Sequence, residues 1–196
     1  PAFGGWGTYG RLTSGNYGSG FPMTPAMITS TVRMPGSHIM VPHIGVFGNM
    51  TVIKNFPNDG DNSNATYVPH LLRQLGRFDD TAEKIFHLTD KYRDPGLPEP
   101  PVPSLVIFSS GKNSANGYVY NRQSNTVSAF SGRGDGVVSD TGPLFACANW
   151  ENVNCFNYNS ANIDHSNSQE TQVTLDLTFN FIERLHQNNF IPKSKL

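Results

Sequence analysis

The chain has 196 residues and a formal net charge of -1, from 14 Lys and Arg against 15 Asp and Glu. That length is one ordinary domain or a large part of one. Charges scattered at this balance leave no basic footprint for nucleic acid or for an anionic membrane, and no apolar run reaches the length of a membrane span.

With 19 Gly and 14 Pro, the composition favours short elements and loops over a helical bundle. The chain starts at Pro1, with neither an initiator Met nor a signal-like segment, as expected of a piece cut from something longer. Residues 1–22 are glycine-rich and aromatic without a period, so they read as loop around at most a short helix. Residues 23–48 carry short apolar runs broken by prolines, which predicts irregular structure and one short strand at 39–46.

Thr66 is placed to cap a helix over 66–75, with Val68, Leu71, Leu72 and Leu75 on one face and Gly76 as the stop. A second helix is predicted over 81–91, with Asp80 as cap and Glu83 three residues on. The proline run GLPEPPVP then excludes helix and central strand. Residues 104–108, SLVIF, form a continuous apolar run of the kind buried on both faces in a parallel sheet. Weak alternation over 112–130 (Tyr118, Tyr120, Val127) predicts a hairpin ahead of SGRGDGVVSD. From Val173 the apolar residues fit both helix and strand periods, and length decides for a helix over 170–187 capped at Asn167.

The two cysteines, Cys147 and Cys155, lack the paired spacing or nearby His that a zinc site needs, which leaves a small disulfide loop or two free thiols. Asn49-Met50-Thr51 and Asn64-Ala65-Thr66 are glycosylation acceptor triplets, and with a disulfide they lean towards the secretory pathway. An oxidising compartment makes the disulfide the expected form.

Arg133-Gly134-Asp135 can be read in two ways. It is the tripeptide that adhesion receptors take from a mobile loop; alternatively, Asp135 on its glycine turn is a catalytic acid. In an open α/β sheet, loops at the carboxyl ends of strands gather on one edge, where Asp135 and His165 can meet. An imidazole that accepts a nucleophile's proton needs a carboxylate on its far nitrogen to fix its tautomer and stabilise the cation. Asp135 then His165 is the acid-then-base order of α/β-hydrolase triads, yet G-x-S-x-G does not occur in the chain. Ser19 in Tyr17-Gly18-Ser19-Gly20 reads as a turn serine. Asp140 and Asp164 are rival acids, and Asp164, adjoining His165 in sequence, reads as a turn or capping residue. His38, His43, His70, His87 and His186 default to surface or core, and Trp6 and Trp150 to core.

Pro1-Ala2-Phe3-Gly4-Gly5, followed by Leu12-Thr13-Ser14-Gly15-Asn16 and Phe21-Pro22, resembles the segment after the nucleophile's strand and helix in the lecithin:cholesterol acyltransferase family, which includes lysosomal phospholipases A. Asn64 to Tyr67, Leu105 to Gly111, Gly134 to Val138, Cys147 to Trp150 and His165 follow in the same order, so the resemblance spans nearly the whole chain. The chain departs from the family pattern at Val137, at polar Ser166-Asn167, and in having no cysteine within 104–108 to pair with Cys147.

The resemblance implies the C-terminal half of an α/β-hydrolase fold, a mostly parallel sheet with flanking helices, over residues 1–196. About 20–100 would be an irregular cap-like and helical insertion, and 104–196 the strands, acid turn, histidine loop and closing helix. It implies Asp135 as triad acid, His165 as triad base and a glycosylated Asn64. The nucleophilic serine would come from an N-terminal fragment of the same precursor. The implied activity is phospholipase A or O-acyltransferase chemistry on phospholipid at a membrane or lipid surface, with neither metal nor organic cofactor. The implied location is outside the cell or in a lysosome- or vacuole-like compartment. The competing reading is a non-catalytic secreted binding or adhesion module of hydrolase ancestry.

Overall fold

A computed structural model describes residues 16–17, 21–22, 24–39, 41–56, 62–89, 92 and 97–188. The expectations for Trp6 and for most of the glycine-rich start lie outside the described residues. Asn16–Tyr17 (β1) and Phe21–Pro22 (β2) form a small antiparallel pair.

Local chemistry sets the helix starts in the N-terminal half. Thr24 Oγ1 accepts the Met27 amide at 3.2 Å at the head of α1 (Pro25–Val32), and α2 (Pro35–Ile39) opens on a proline. The strand expected at 39–46 is not formed. Pro42 cannot donate to a ladder, and His43 Nδ1 accepts the Gly45 amide at 3.0 Å to start the short helix α3 (Ile44–Phe47). Val41, Val46 and Phe47 are buried there, a spacing that no single strand face can present.

The helix expected at 66–75 forms one turn differently. Asn64, rather than Thr66, supplies the cap, its Oδ1 accepting the Thr66 amide at 3.0 Å. A 3-10 turn (Ala65–Tyr67) leads into α4 (Val68–Gln74), which buries Val68, Leu71 and Leu72. The next helix, α5 (Asp80–Leu88), is capped one residue earlier than expected, by Asp79, whose Oδ1 takes the Ala82 amide at 2.8 Å. Arg33 reaches the other oxygen of Asp79 at 2.6 Å, and Arg73 pairs with Glu83, so α1, α4 and α5 are also linked by charge.

A four-stranded sheet lies against these helices. Ile53–Lys54 (β3) pairs antiparallel with Asn62–Ser63 (β4) and parallel with Lys112–Asn121 (β6), which forms an antiparallel hairpin with Thr126–Gly134 (β7). The hairpin read at 112–130 is therefore present, tightened by Asn121 Oδ1 accepting the amides of Gln123 and Ser124. Tyr118 and Tyr120, two apart on β6, turn one face into a core with Phe47, Ile53, Leu71, Leu72, Phe78 and Phe86.

The apolar strand read at 104–108 is β5 (Ser104–Ser109), and it pairs in parallel along its whole length with Val153–Tyr158 (β8). Between them come the acid turn and α6 (Thr141–Asn149); α6 and β8 carried too weak a period to be read from sequence, and the Cys147–Cys155 disulfide joins them. The closing helix, α7 (Gln172–Gln187), starts at Thr171 instead of Asn167, because Thr171 Oγ1 takes the Thr174 amide at 3.1 Å after a 3-10 turn at Ser168–Glu170.

The fold is thus mixed α/β. Its main sheet is mixed rather than mostly parallel, because a ten-residue strand returns on itself through a tight turn. β5 is half-buried along Leu105 to Phe108 rather than closed on both faces. No helix among the described residues is long and apolar enough to cross a membrane.

The disulfide closes a short loop and ties α6 to β8 where few buried side chains hold either. Reducing it should lower the unfolding free energy by about 2 to 3 kcal/mol through the entropy returned to the unfolded chain. Urea midpoints with and without reductant measure this; coincident midpoints, or reactive thiols in unfolded unreduced protein, would refute it.

Candidate active site

The long β6–β7 hairpin carries the acid turn at its open end. Gly134 sits where a Cβ would come within 2.1 Å of the Val138 carbonyl and 2.3 Å of Ser114 Oγ, and Gly136 has φ +95°, so glycine is demanded on both sides of Asp135. The chain folds back on itself there. The Asp135 amide donates to the Val138 carbonyl at 3.2 Å and the Gly136 amide to Ser114 Oγ at 2.8 Å.

Asp135 Oδ1 accepts the amides of Val137 and Val138 at 2.9 and 2.7 Å. The turn thus consumes one oxygen and leaves the other to a partner. That partner is His165, whose Nδ1 lies 2.8 Å from Asp135 Oδ2, while its backbone amide donates to the Asp135 carbonyl at 2.9 Å. A carboxylate only accepts, so the neutral imidazole that fits this contact carries its proton on Nδ1 and keeps the lone pair on Nε2. The carboxylate is mostly covered, with 18 % of its side chain exposed, whereas the imidazole is 51 % exposed.

The histidine loop is held by polar bonds. Asp164 Oδ1 accepts the amides of Ser166 and Asn167 at 2.9 and 3.1 Å, and its own amide donates to Asn167 Oδ1 at 2.7 Å. Ser109 Oγ, at the end of β5, lies 3.0 Å from the Ile163 carbonyl and 3.1 Å from that of Tyr158. From β6, Lys112 Nζ lies 2.9 Å from Asp164 Oδ2. The Lys112 bond, and after it the amides of Asn167 and Ser166, push the Asp164 carboxyl down to about 2.

Asp135 and His165 border one cavity of about 380 Å³, walled by Leu105, Ile107, Val138, Ala146 and Trp150. Trp150 is only half-buried, its Nε1 donating to the Leu97 carbonyl at 3.1 Å. Asp140 stands apart from the imidazole: it is buried at the head of α6, 3.5 Å from Arg133 Nε. Of the other histidines, His38 is buried against Phe78 and Phe86, and its Nε2 lies 2.7 Å from the Val32 carbonyl. The adhesion tripeptide does not present both charges, since Asp135 is engaged by two amides and an imidazole. Asn49 is exposed; Asn64 is half-buried, with Oδ1 engaged by Thr66. No cluster of three or more His, Cys, Asp or Glu that could hold a metal occurs among the described residues.

Sequence reasoning missed Lys112, Ser114 and Ser109. Nothing in the local sequence marks any of them as part of the site, and only the register of the strands brings each one there. Neither family models nor curated proteins match the chain.

A carboxyl whose proton affinity is lowered by folding stabilises the fold above its ordinary value of 3.8, and that contribution fades as pH falls towards about 2. Asp164→Asn should therefore unfold with a shallower pH dependence than the parent over this window, seen as urea midpoints converging between pH 5 and pH 2. Parallel curves would assign the acid sensitivity to other carboxylates.

Proposed function

We propose that this chain supplies the acid and base of a serine-dependent phospholipase A or acyltransferase, as the C-terminal part of an α/β-hydrolase fold. The observation that carries the reading is the Asp135–His165 pair, bonded through both side chain and backbone beside an apolar cavity. The likeness of motif order to the lecithin:cholesterol acyltransferase family narrows the substrate to phospholipid acyl esters.

In this mechanism a serine outside residues 1–196 attacks the ester carbonyl carbon, and its proton passes to His165 Nε2. Asp135 stabilises the imidazolium through Nδ1. Collapse of the tetrahedral intermediate breaks the bond to the lipid's alcohol oxygen, which takes the proton from Nε2 and leaves an acyl-enzyme. Water or an alcohol acceptor then gives up its proton to Nε2 as it attacks, and collapse of this second tetrahedral intermediate breaks the bond to the serine oxygen, which takes the proton back from Nε2 as the acyl group leaves as acid or ester. The chemistry requires no redox partner.

The surface supports a second element of the reading. β5 pairs with β8 on one edge and with no strand on the other among the described residues, although parallel strands are ordinarily flanked and covered. Close by, α7 contacts β5 yet buries none of its residues, and Phe179 is 68 % exposed. The segment that bears the serine docks here, adding a strand beside β5 and covering α7. Such a seam is of the apolar, obligate kind. The disulfide and the two acceptor triplets suit a glycoprotein of the secretory pathway or lysosome.

In the complete enzyme, Asp135→Asn should lower turnover of a phospholipid ester by about three to four orders of magnitude with the fold intact, and His165→Ala by at least as much. Either variant keeping more than about a tenth of the activity would remove that residue from the triad. A fluorophosphonate probe should label a serine outside residues 1–196; an adduct on a serine of this chain would defeat the two-segment reading.

A further inference from the structure

The acid turn and the histidine loop arrive from different directions, one from the end of β7 and the other ahead of α7. The bonds described between them all belong to one residue pair, Asp135 with His165, and the imidazole is half exposed. Packing alone therefore does little to hold the ring in place.

Lys112 lies across this gap. It opens β6 opposite Gly134, so its backbone starts beside the acid turn. Its Cδ passes Gly136 at 3.5 Å from where that residue's Cβ would stand. The ammonium ends on Asp164 Oδ2 at 2.9 Å, while Asp164 Oδ1 organises the turn that follows His165. We propose that Lys112 is a positioning residue, which clasps the acid turn to the histidine loop through Asp164 and balances the Asp164 charge beside the imidazole.

Two physical effects follow from one contact. The ion pair is about one-third exposed at each partner, so its direct worth to stability is small. Its geometric effect is larger, because it fixes the backbone of the residue preceding His165, where an error of about 1 Å is costly to proton transfer. Its electrostatic effect follows from charge alone. The charged groups on the surrounding segments are Asp135 on the acid turn, Asp164 on the loop, Lys112 on β6, Glu170 on the 3-10 turn, and the Arg133–Asp140 pair flanking the turn. Without Lys112, Asp164 adds an unbalanced negative charge next to the ring and favours its protonated form. Without Asp164, the uncompensated ammonium disfavours it.

The proposal rests on Asp135 and His165 being the acid and base, and its test does not need turnover. In the complete protein, the His165 imidazole is titrated by NMR and exchange of its backbone amide, which donates to the Asp135 carbonyl, is timed. Lys112→Met should raise the titration midpoint and Asp164→Asn should lower it, each by about half a unit, and the double variant should return close to the parent. Both single variants should speed amide exchange, and Lys112→Arg should restore parental behaviour. Turnover in Lys112→Met should fall about 10- to 100-fold in kcat with KM little changed. If Lys112→Met does not fold, Asp164→Asn carries the same readouts, because Asn keeps an Oδ1 for the Ser166 and Asn167 amides.

Midpoints moving in the same direction in both single variants, or unchanged exchange in both, overturns the clasp. A protein without esterase activity whose midpoints still move oppositely keeps the clasp and loses the enzyme reading. Full turnover with unmoved midpoints does the reverse.

Discussion

Pairing of β3 with β6 is the constraint on which the rest of the structure depends. Ile53 and Lys54 run parallel to Tyr118 and Val119, and this short ladder locks the middle of a ten-residue strand against the helical core. Tyr118 and Tyr120 complete the lock by packing among Phe47, Phe56 and the α4 leucines. Once the middle is fixed, the start of β6 has no freedom. Lys112 and Ser114 are set at one end, and the hairpin register carries Gly134 back to face Lys112. A well-packed core in one half of the chain thereby positions the acid turn in the other.

The two halves are built by different forces. Among the described residues, the segments up to residue 121 hold nearly all of the buried hydrophobic side chains, including Val41, Val52, Ile53 and Leu72, all fully buried. Among the described residues beyond 121, the buried hydrophobic side chains are Ala146 and Tyr158. What holds that region is instead the β5–β8 ladder, one disulfide, and a mesh of hydroxyl and amide bonds from Ser109, Asp164, Asn167, Tyr158 and Thr171. Such a mesh fixes direction well but removes little apolar surface from water. The exposed Val173, Leu175 and Phe179 of α7 and the half-buried face of β5 are what that trade leaves behind.

The acid turn shows how little chain is needed to aim a carboxylate. Oδ1 is spent on two amides of the turn, so rotation about the side chain is stopped and Oδ2 faces the imidazole. Glycine before Asp135 is required by space and glycine after it by backbone angle, two separate demands met on either side of one residue. The same engagement removes Asp135 from the pool of exposed acids, which is why an adhesion tripeptide spelled in sequence is not one in shape.

Local features were legible wherever a short stretch decides its own conformation. The apolar run of β5, the hairpin over β6 and β7, the helical stripe of Val68, Leu71 and Leu72 and the glycine-flanked acid all follow from period, turn chemistry and backbone freedom within a few residues. Capping positions slipped by one to four residues because Asn64, Asp79 and Thr171 compete with neighbours of the same chemistry, and only the folded chain shows which side chain reaches the amide. The helix over 44–47 was hidden because its apolar residues answer to a core contributed by distant segments. The same holds for the site. Residue types and order singled out Asp135 and His165, but the 2.8 Å contact across 30 residues, the Lys112 ammonium on Asp164 and the flank of β5 that is unpaired among the described residues depend on strand register, which is settled by long-range burial that no local window of sequence contains.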